Sequence, residues 1–314
     1  MIGIDVGGAN LKIVDGDGVH IHYCPLWERS PITRILDRYA PSPEEPAAVV
    51  MSGELADCFE NKMEGISFIV HAVRKAFPSA RFYGTDGKFH DHAVPQLAAA
   101  NWLASTDYLR NEYPDAVLLD IGSTTADIIP LNNFEALKGL TDLRRLQRGY
   151  LLYTGMLRGN IAALVRSVTL DSVETPVSSE YFAASADAHL VLGHITSAEY
   201  STDTPDKKEK TRISALRRLA RVVCADLDEI GENGAYQIAG QFWDAQRNLI
   251  REKVSTVMEA SCSTSLLTAG IGASLFAGEL GGIDLSRRMG EAADALPAYA
   301  VREMALRDSI FSRG

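Results

Sequence analysis

Apolar residues alternate at the start of the chain. Ile2, Ile4 and Val6 lead into a glycine-rich turn, and a second apolar run resumes after Asn10. The rhythm returns at Val117, Leu119 and Ile121, again with a glycine turn and a second run. Period-two alternation interrupted by such a turn predicts a β-hairpin in each place. "GVHIHYCPLW" predicts a third strand, and "AAVVMSGELAD" a buried strand ending in a loop tipped by Ser52, Gly53 and Glu54. Ile32, Ile35 and Leu36 predict a short helix closed by Pro41, Pro43 and Pro46, since proline cannot continue a helix. Ile66, Ile69, Val70, Val73 and Phe77 predict a longer helix, and "ARFYGTDGKFHD" a strand, turn and strand. "AVPQLAAANWLASTDYLRNEYPD" reads as strongly helical up to Pro114. Ile213, Leu216, Leu219, Val223, Leu227 and Ile230 share one helical face, with a glycine stop at Gly231. "STDTPDKKEKTR" is polar and expected to be a mobile surface loop. "TSLLTAGIGASLFAGEL" predicts a strand, glycine turn and helix, and the helix-rich final segment is expected to pack back on the first part of the chain.

Aligning the two hairpins puts Asp5 on Asp120, Gly7 on Gly122, Asn10 on Thr125 and Lys12 on Asp127. One repeat is too sparse for a solenoid and argues for two related halves. Each first strand ends near an aspartate beside a turn whose glycines (Gly7, Gly8, Gly122) let backbone N–H groups approach a ligand. Such turns suit phosphate. Two acids facing each other beside two such turns suit a shared Mg²⁺, which prefers one or two carboxylates plus water and phosphate oxygens. The later Gly270 and Gly272, between an apolar strand and a helix start, allow the same close approach of an anion or nucleotide. The basic cluster Arg144, Arg145, Arg148 and Arg158 is either a solvated helix face or an anion clamp for a carboxylate or diphosphate.

Bulk properties narrow the classes. At 314 residues two domains are expected. The residues are 46% hydrophobic and 23% charged, as in a globular protein. A net charge of −10 opposes the basic footprint that nucleic acid requires. Cys24, Cys58, Cys224 and Cys262 lack C-x-x-C spacing, which favours free thiols in a reducing compartment. No apolar run reaches the length of a membrane span and no signal segment opens the chain, so a cytoplasmic location is expected. Among the seven histidines, His20/His22 and His90/His92 form H-x-H pairs, but no third zinc ligand is identifiable. The first turn lacks G-x-G-x-x-G leading into a helix and no G-K-[ST] occurs, which disfavours dinucleotide and P-loop sites.

Hairpin with Asp, connecting helix, second hairpin with Asp and a late Gly-x-Gly turn resemble the actin, sugar kinase and heat-shock chaperone ATPase superfamily. "GIDVGGANLK", "CPLW", "MSGELAD", "DIGSTTADIIP", "TDLRRLQRGYLLYTG" and "RLARVVCAD" are similar to the hydantoinase/oxoprolinase-related proteins of tetrahydromethanopterin-linked one-carbon metabolism. The resemblance spans nearly the whole chain. It implies an α/β, two-domain actin-like (ribonuclease H-like) fold, each domain a mixed sheet flanked by helices with a cleft between. The expected divisions are 1–92 with 288–314, and 93–287. Two departures weaken an ATP-hydrolysing reading. Ala9 and Asn10 stand where many superfamily members carry Thr or Ser, and Ala269-Gly270 replaces a glycine pair.

By resemblance, the implied activity is methanofuran or methylofuran biosynthesis: a transferase joining an aminomethylfuran-methyl diphosphate to the phenol of γ-glutamyltyramine, with pyrophosphate released. Asp5, Asp120 and Asp127 would hold Mg²⁺, while Gly7, Gly8, Asn10, Gly122, Ser123, Thr124, Thr125, Gly270 and Gly272 would cradle phosphates. Lys12 would add a point charge. A phenol with a pKa near 10 needs a base, for which Glu54 and Asp86 are the loop acids best placed. Alternatives are an ATP-dependent small-molecule kinase, with ATP on the same turns, or a non-catalytic nucleotide-binding protein. The expected partners are small-molecule diphosphate and phenolic amine substrates, with neither nucleic acid nor membrane, and a homo-oligomer left open.

Overall fold

The N-terminal alternation becomes strand β1 (Ile2–Val6), which turns into β2 (Asn10–Val14) and then β3 (Val19–Tyr23). The computed structural model describes residues 1–308 except 29, 41 and 43. Pro41 and Pro43, two of the residues expected to close the short helix Ile32–Leu36, and 309–314 of the final segment lie outside the described residues. On the other side of β1 come β4 (Ala47–Met51), β5 (Arg81–Tyr83) and β6 (Phe89–His90), giving the order β3-β2-β1-β4-β5-β6. β1 runs antiparallel to β2 and parallel to β4.

A second sheet repeats this plan. β7 (Ala116–Ile121) pairs antiparallel with β8 (Ala126–Pro130), and β8 with β9 (Leu151–Leu152). A separate hairpin, β10 (Ser167–Leu170) and β11 (Val173–Pro176), intervenes before β12 (Ser265–Ala269) and β13 (Ile283–Asp284). β12 joins β7 in parallel and β13 joins β12 in parallel, so the order is β13-β12-β7-β8-β9. Five strands of each sheet thus follow one plan: a hairpin, its antiparallel third strand, and two parallel strands on the far side. This doubled plan of two mixed sheets is the architecture that the sequence resemblance implies.

Parallel strands need covered faces, because their crossovers bring helices onto both sides. Helix Lys62–Ala76 buries Ile66, Ile69, Val70 and Val73 in a core with Ile4 and Val49. Its first turn is fixed by the Asn61 side chain, which accepts from the Glu64 N–H at 3.0 Å. The last helix, Leu296–Arg307, packs across β1, β2 and β4. The core of the second sheet is built on Val117, Leu119, Ile128, Phe242 and Trp243. No helix among the described residues is long and apolar enough to cross a membrane.

Three elements differ from expectation. The connecting segment is α-helical only over Asn101–Leu109, because Ala99 takes a left-handed φ of +46°. The amphipathic helix Arg212–Arg221 ends before Cys224 (φ +60°), where Asp226 starts a new helix by accepting from the Glu229 N–H at 2.9 Å. Gly231 then interrupts the span Leu227–Ser261 with non-helical backbone (φ +66°, ψ 172°), so the expected stop falls there, but it closes the short turn begun at Asp226 and not the amphipathic helix Arg212–Arg221. The polar segment 201–212 is anchored, not loose. Thr202 and Thr204 are buried, and Asp206 pairs with Arg218 at 3.1 Å and Arg221 at 3.3 Å.

Candidate active site

Register sets the site. Asp5 faces Lys12 across β1 and β2, and Lys12 faces Ile21 across β2 and β3. In the second sheet Asp120 faces Asp127, which faces Leu151. Directly opposed residues of antiparallel strands project on the same side of a sheet, so each sheet offers one row of three side chains. Both rows, with both glycine turns, line a single cleft of about 680 Å³, within the size range of small-molecule sites.

The cleft is short of positive charge. Burial pushes the Asp5 carboxyl from 3.8 up to about 6, with the Lys12 ammonium opposing and Asp127 adding to the shift. Asp120 rises to about 7, again mainly by burial, with Lys12 opposing and Asp127, Asp5 and Asp294 adding. Asp120 therefore senses the charge of Asp5. Asp5 Oδ1 is buried and has no hydrogen-bond partner among the described residues, an arrangement that costs free energy unless something cationic approaches. Lys12 does not meet this need alone, because its Nζ donates to the Asp294 carbonyl at 2.5 Å.

The remaining expected residues divide. Gly7, Gly8, Asn10, Gly122, Ser123, Thr124 and Thr125 all line the cleft. Asp127 lines it too but is engaged by the buried Arg145, which also bonds Asp142 at 2.8 Å and stacks 4.6 Å from the Trp102 ring. Gly270 and Gly272 lie outside the lining. A Cβ on Gly270 would come within 2.5 Å of Asp120 Oδ1 and the Ile121 carbonyl at φ +78°, so this glycine seats β12 against β7. Glu54 is buried outside the lining, hydrogen-bonded by the Ala99 backbone, with its carboxyl pushed up to about 6 by burial. Asp86 pairs with His90 at 3.0 Å, away from the cleft. The arginine cluster splits as well. Arg144 and Arg148 are exposed on the helix Asp142–Arg148, while Arg145 and Arg158 line the cleft. The Arg158 guanidinium stacks 4.6 Å over Trp27 and makes no ion pair among the described residues.

Sequence reasoning missed Tyr153, Glu199, Ser201 and Asp294, all of which line the cleft. It also missed a buried support behind the second turn. Gln246 donates to Thr154 Oγ1 at 2.9 Å and to the Gly155 carbonyl at 3.1 Å, and meets His189 Nε2 at 2.9 Å. Burial pushes His189 down to about 3 and keeps it neutral. Gly155 packs so tightly on the turn that a Cβ would lie 2.6 Å from the Thr124 nitrogen.

Two carboxylates with one unpartnered oxygen fit Mg²⁺. Among the described residues no set of three or more His, Cys, Asp or Glu side chains forms an all-protein metal cage. His20 and His22 bond Asp15 at 3.3 Å and Tyr39 at 2.6 Å, respectively.

Comparison with known proteins agrees with this architecture. A (4-{4-[2-(γ-L-glutamylamino)ethyl]phenoxymethyl}furan-2-yl)methanamine synthase of Methanocaldococcus jannaschii is 35% identical over 283 residues, covering 87% of this chain and 86% of that protein. A synthase of the same name from Methanococcus vannielii is 39% identical over 158 residues, 50% of this chain and 71% of that protein. Among solved structures, a nucleotide-free acetone carboxylase superposes with a TM-score of 0.52 at 10% identity, covering 96% of this chain and 69% of the other, and so shares the fold. The sequence model of the hydantoinase/oxoprolinase family matches residues 45–301, and with most of its length so matched the chain belongs to that family.

Proposed function

We propose that this chain catalyses the ether-forming step for which its archaeal relatives are named: it joins an aminomethylfuran-methyl diphosphate to the phenol oxygen of γ-glutamyltyramine. The bond between the exocyclic furan carbon and the diphosphate oxygen breaks, and its electron pair leaves with pyrophosphate. The phenol oxygen bonds to that carbon and loses its proton. The observation that carries this reading is the pairing of Asp5 and Asp120, from matching strands of two sheets, around an unpartnered buried oxygen in one cleft.

Asp5 and Asp120 would hold Mg²⁺, which when bound supplies neutralisation of the departing diphosphate, an effect worth several kcal/mol. Backbone N–H groups of the turns at Gly7–Gly8 and Gly122–Thr125 bind the diphosphate oxygens. Arg158, a cleft cation that makes no ion pair among the described residues, adds a charged fork to the same group. The phenol proton goes to Asp294 in place of Glu54 or Asp86. Asp294 lines the cleft, and burial raises its carboxyl above the usual range against the opposing field of Lys12, which makes it a stronger base.

The test uses purified protein, the furan diphosphate, γ-glutamyltyramine and Mg²⁺. Pyrophosphate and the ether should appear together without ATP. Product formation strictly dependent on ATP would remove this reading and leave a kinase-type reaction.

A further inference from the structure

The internal repeat extends one strand further than its acids. Asn10 faces Tyr23 across β2 and β3, just as Lys12 faces Ile21. Since Asp127 faces Leu151 in the second sheet, Tyr153 holds the place that repeats Tyr23. The neighbours agree with this equivalence, because Cys24 and Thr154, which follow the two tyrosines, are both buried. The tyrosines themselves are not. Tyr23 is 43% exposed and Tyr153 is 70% exposed, although both line the cleft. Ile21, 50% exposed, continues the same wall on the first sheet. Large exposed apolar groups gathered at the mouth of a cavity mark a binding surface.

We infer that Tyr23 and Tyr153 form a matched aromatic pair that receives the phenol ring of the acceptor, so that they set specificity for an aryl substrate. This rests on the ether-forming reading above. The diphosphate is anchored one row deeper, at the turns and the Asp5/Asp120 pair, and its furan carbon must stay beside that anchor. The acceptor has no anion next to its ring and therefore needs a surface to hold it. Its long polar γ-glutamyl arm must also leave the cleft, which places its ring at the mouth, between these two side chains. Flat rings stack or meet edge to face on such partners with a preference beyond simple area burial.

Calorimetry of γ-glutamyltyramine binding to the full chain, with Mg²⁺ and pyrophosphate present, tests the assignment. Wild type should bind the acceptor. Tyr23→Ala and Tyr153→Ala should each weaken binding roughly tenfold, while Tyr23→Phe and Tyr153→Phe stay close to wild type. Pyrophosphate affinity, measured separately, should be unchanged in all four, which also certifies that they are folded. The assignment is overturned if wild type does not bind the acceptor, if the alanine variants bind it like wild type, or if they lose pyrophosphate instead. Acceptor binding that depends on the tyrosines, without any ether product from wild type, would sink the reaction and leave the aryl site standing.

Discussion

Removing the charge of Asp5 should stabilise the metal-free protein at alkaline pH while abolishing its activity. The folded carboxyl titrates at about 6 instead of 3.8. The folded state therefore holds its proton more tightly than the unfolded chain. That contribution is fully present below pH 4 and is lost as pH rises through about 6. A shift of about two units is worth about 3 kcal/mol. In Asp5→Asn the penalty of the buried, unpartnered carboxylate disappears, and Asp120 also loses a neighbouring like charge. Urea unfolding in the presence of a chelator should show the variant more stable than wild type by up to about 3 kcal/mol at pH 8, and nearly equal at pH 4. Added Mg²⁺ should narrow or reverse the difference by stabilising wild type alone. A variant less stable than wild type at pH 8, or a difference that does not change with pH, would refute the reasoning.

Other substitutions test the surrounding parts. Arg158→Gln should raise KM for the furan diphosphate by roughly tenfold or more, as expected for loss of a charge-assisted contact, with KM for the acceptor changed little in steady-state kinetics. Asp294→Asn should lower kcat and flatten the acidic limb of its pH profile, with pyrophosphate affinity retained in calorimetry. Arg218→Met should cost about 3–5 kcal/mol in denaturant unfolding, because it strands the fully buried Asp187 that Arg218 meets at 2.8 Å; Arg218→Met combined with Asp187→Leu should recover part of that loss.

Much of the frame was legible because it rests on local pattern. Both hairpins, the third strand of the first half and the helix Lys62–Ala76 follow from apolar periodicity, and the paired aspartates follow from the internal repeat. Tyr153 carried the same signal, since extending the alignment from Asp5 and Asp120 to the third strand would have matched it to Tyr23. Asp294, Glu199 and Ser201 carried none, because they reach the cleft from distant segments by crossovers that no short window contains. Gly270 was misleading for a physical reason: the close approach its missing Cβ permits is to Asp120 and Ile121 of its own chain, not to a ligand. Gly231 does interrupt the helix, but the earlier break at Cys224, with its positive φ, left no mark in the apolar periodicity that runs on to Ile230. In the polar stretch 201–212, composition described the exposed side chains and missed Asp206, whose partners Arg218 and Arg221 lie on a later helix.

The central claim is that one cation and its diphosphate sit between the two sheets, held by Asp5 and Asp120. A crystal structure with Mn²⁺ and pyrophosphate, using anomalous scattering to locate the metal, tests it most directly. The account predicts a metal peak between the two carboxylates, bound to them directly or through one water, with pyrophosphate oxygens against both glycine turns. A metal outside the cleft, or one that contacts neither aspartate while pyrophosphate lies elsewhere, would contradict it.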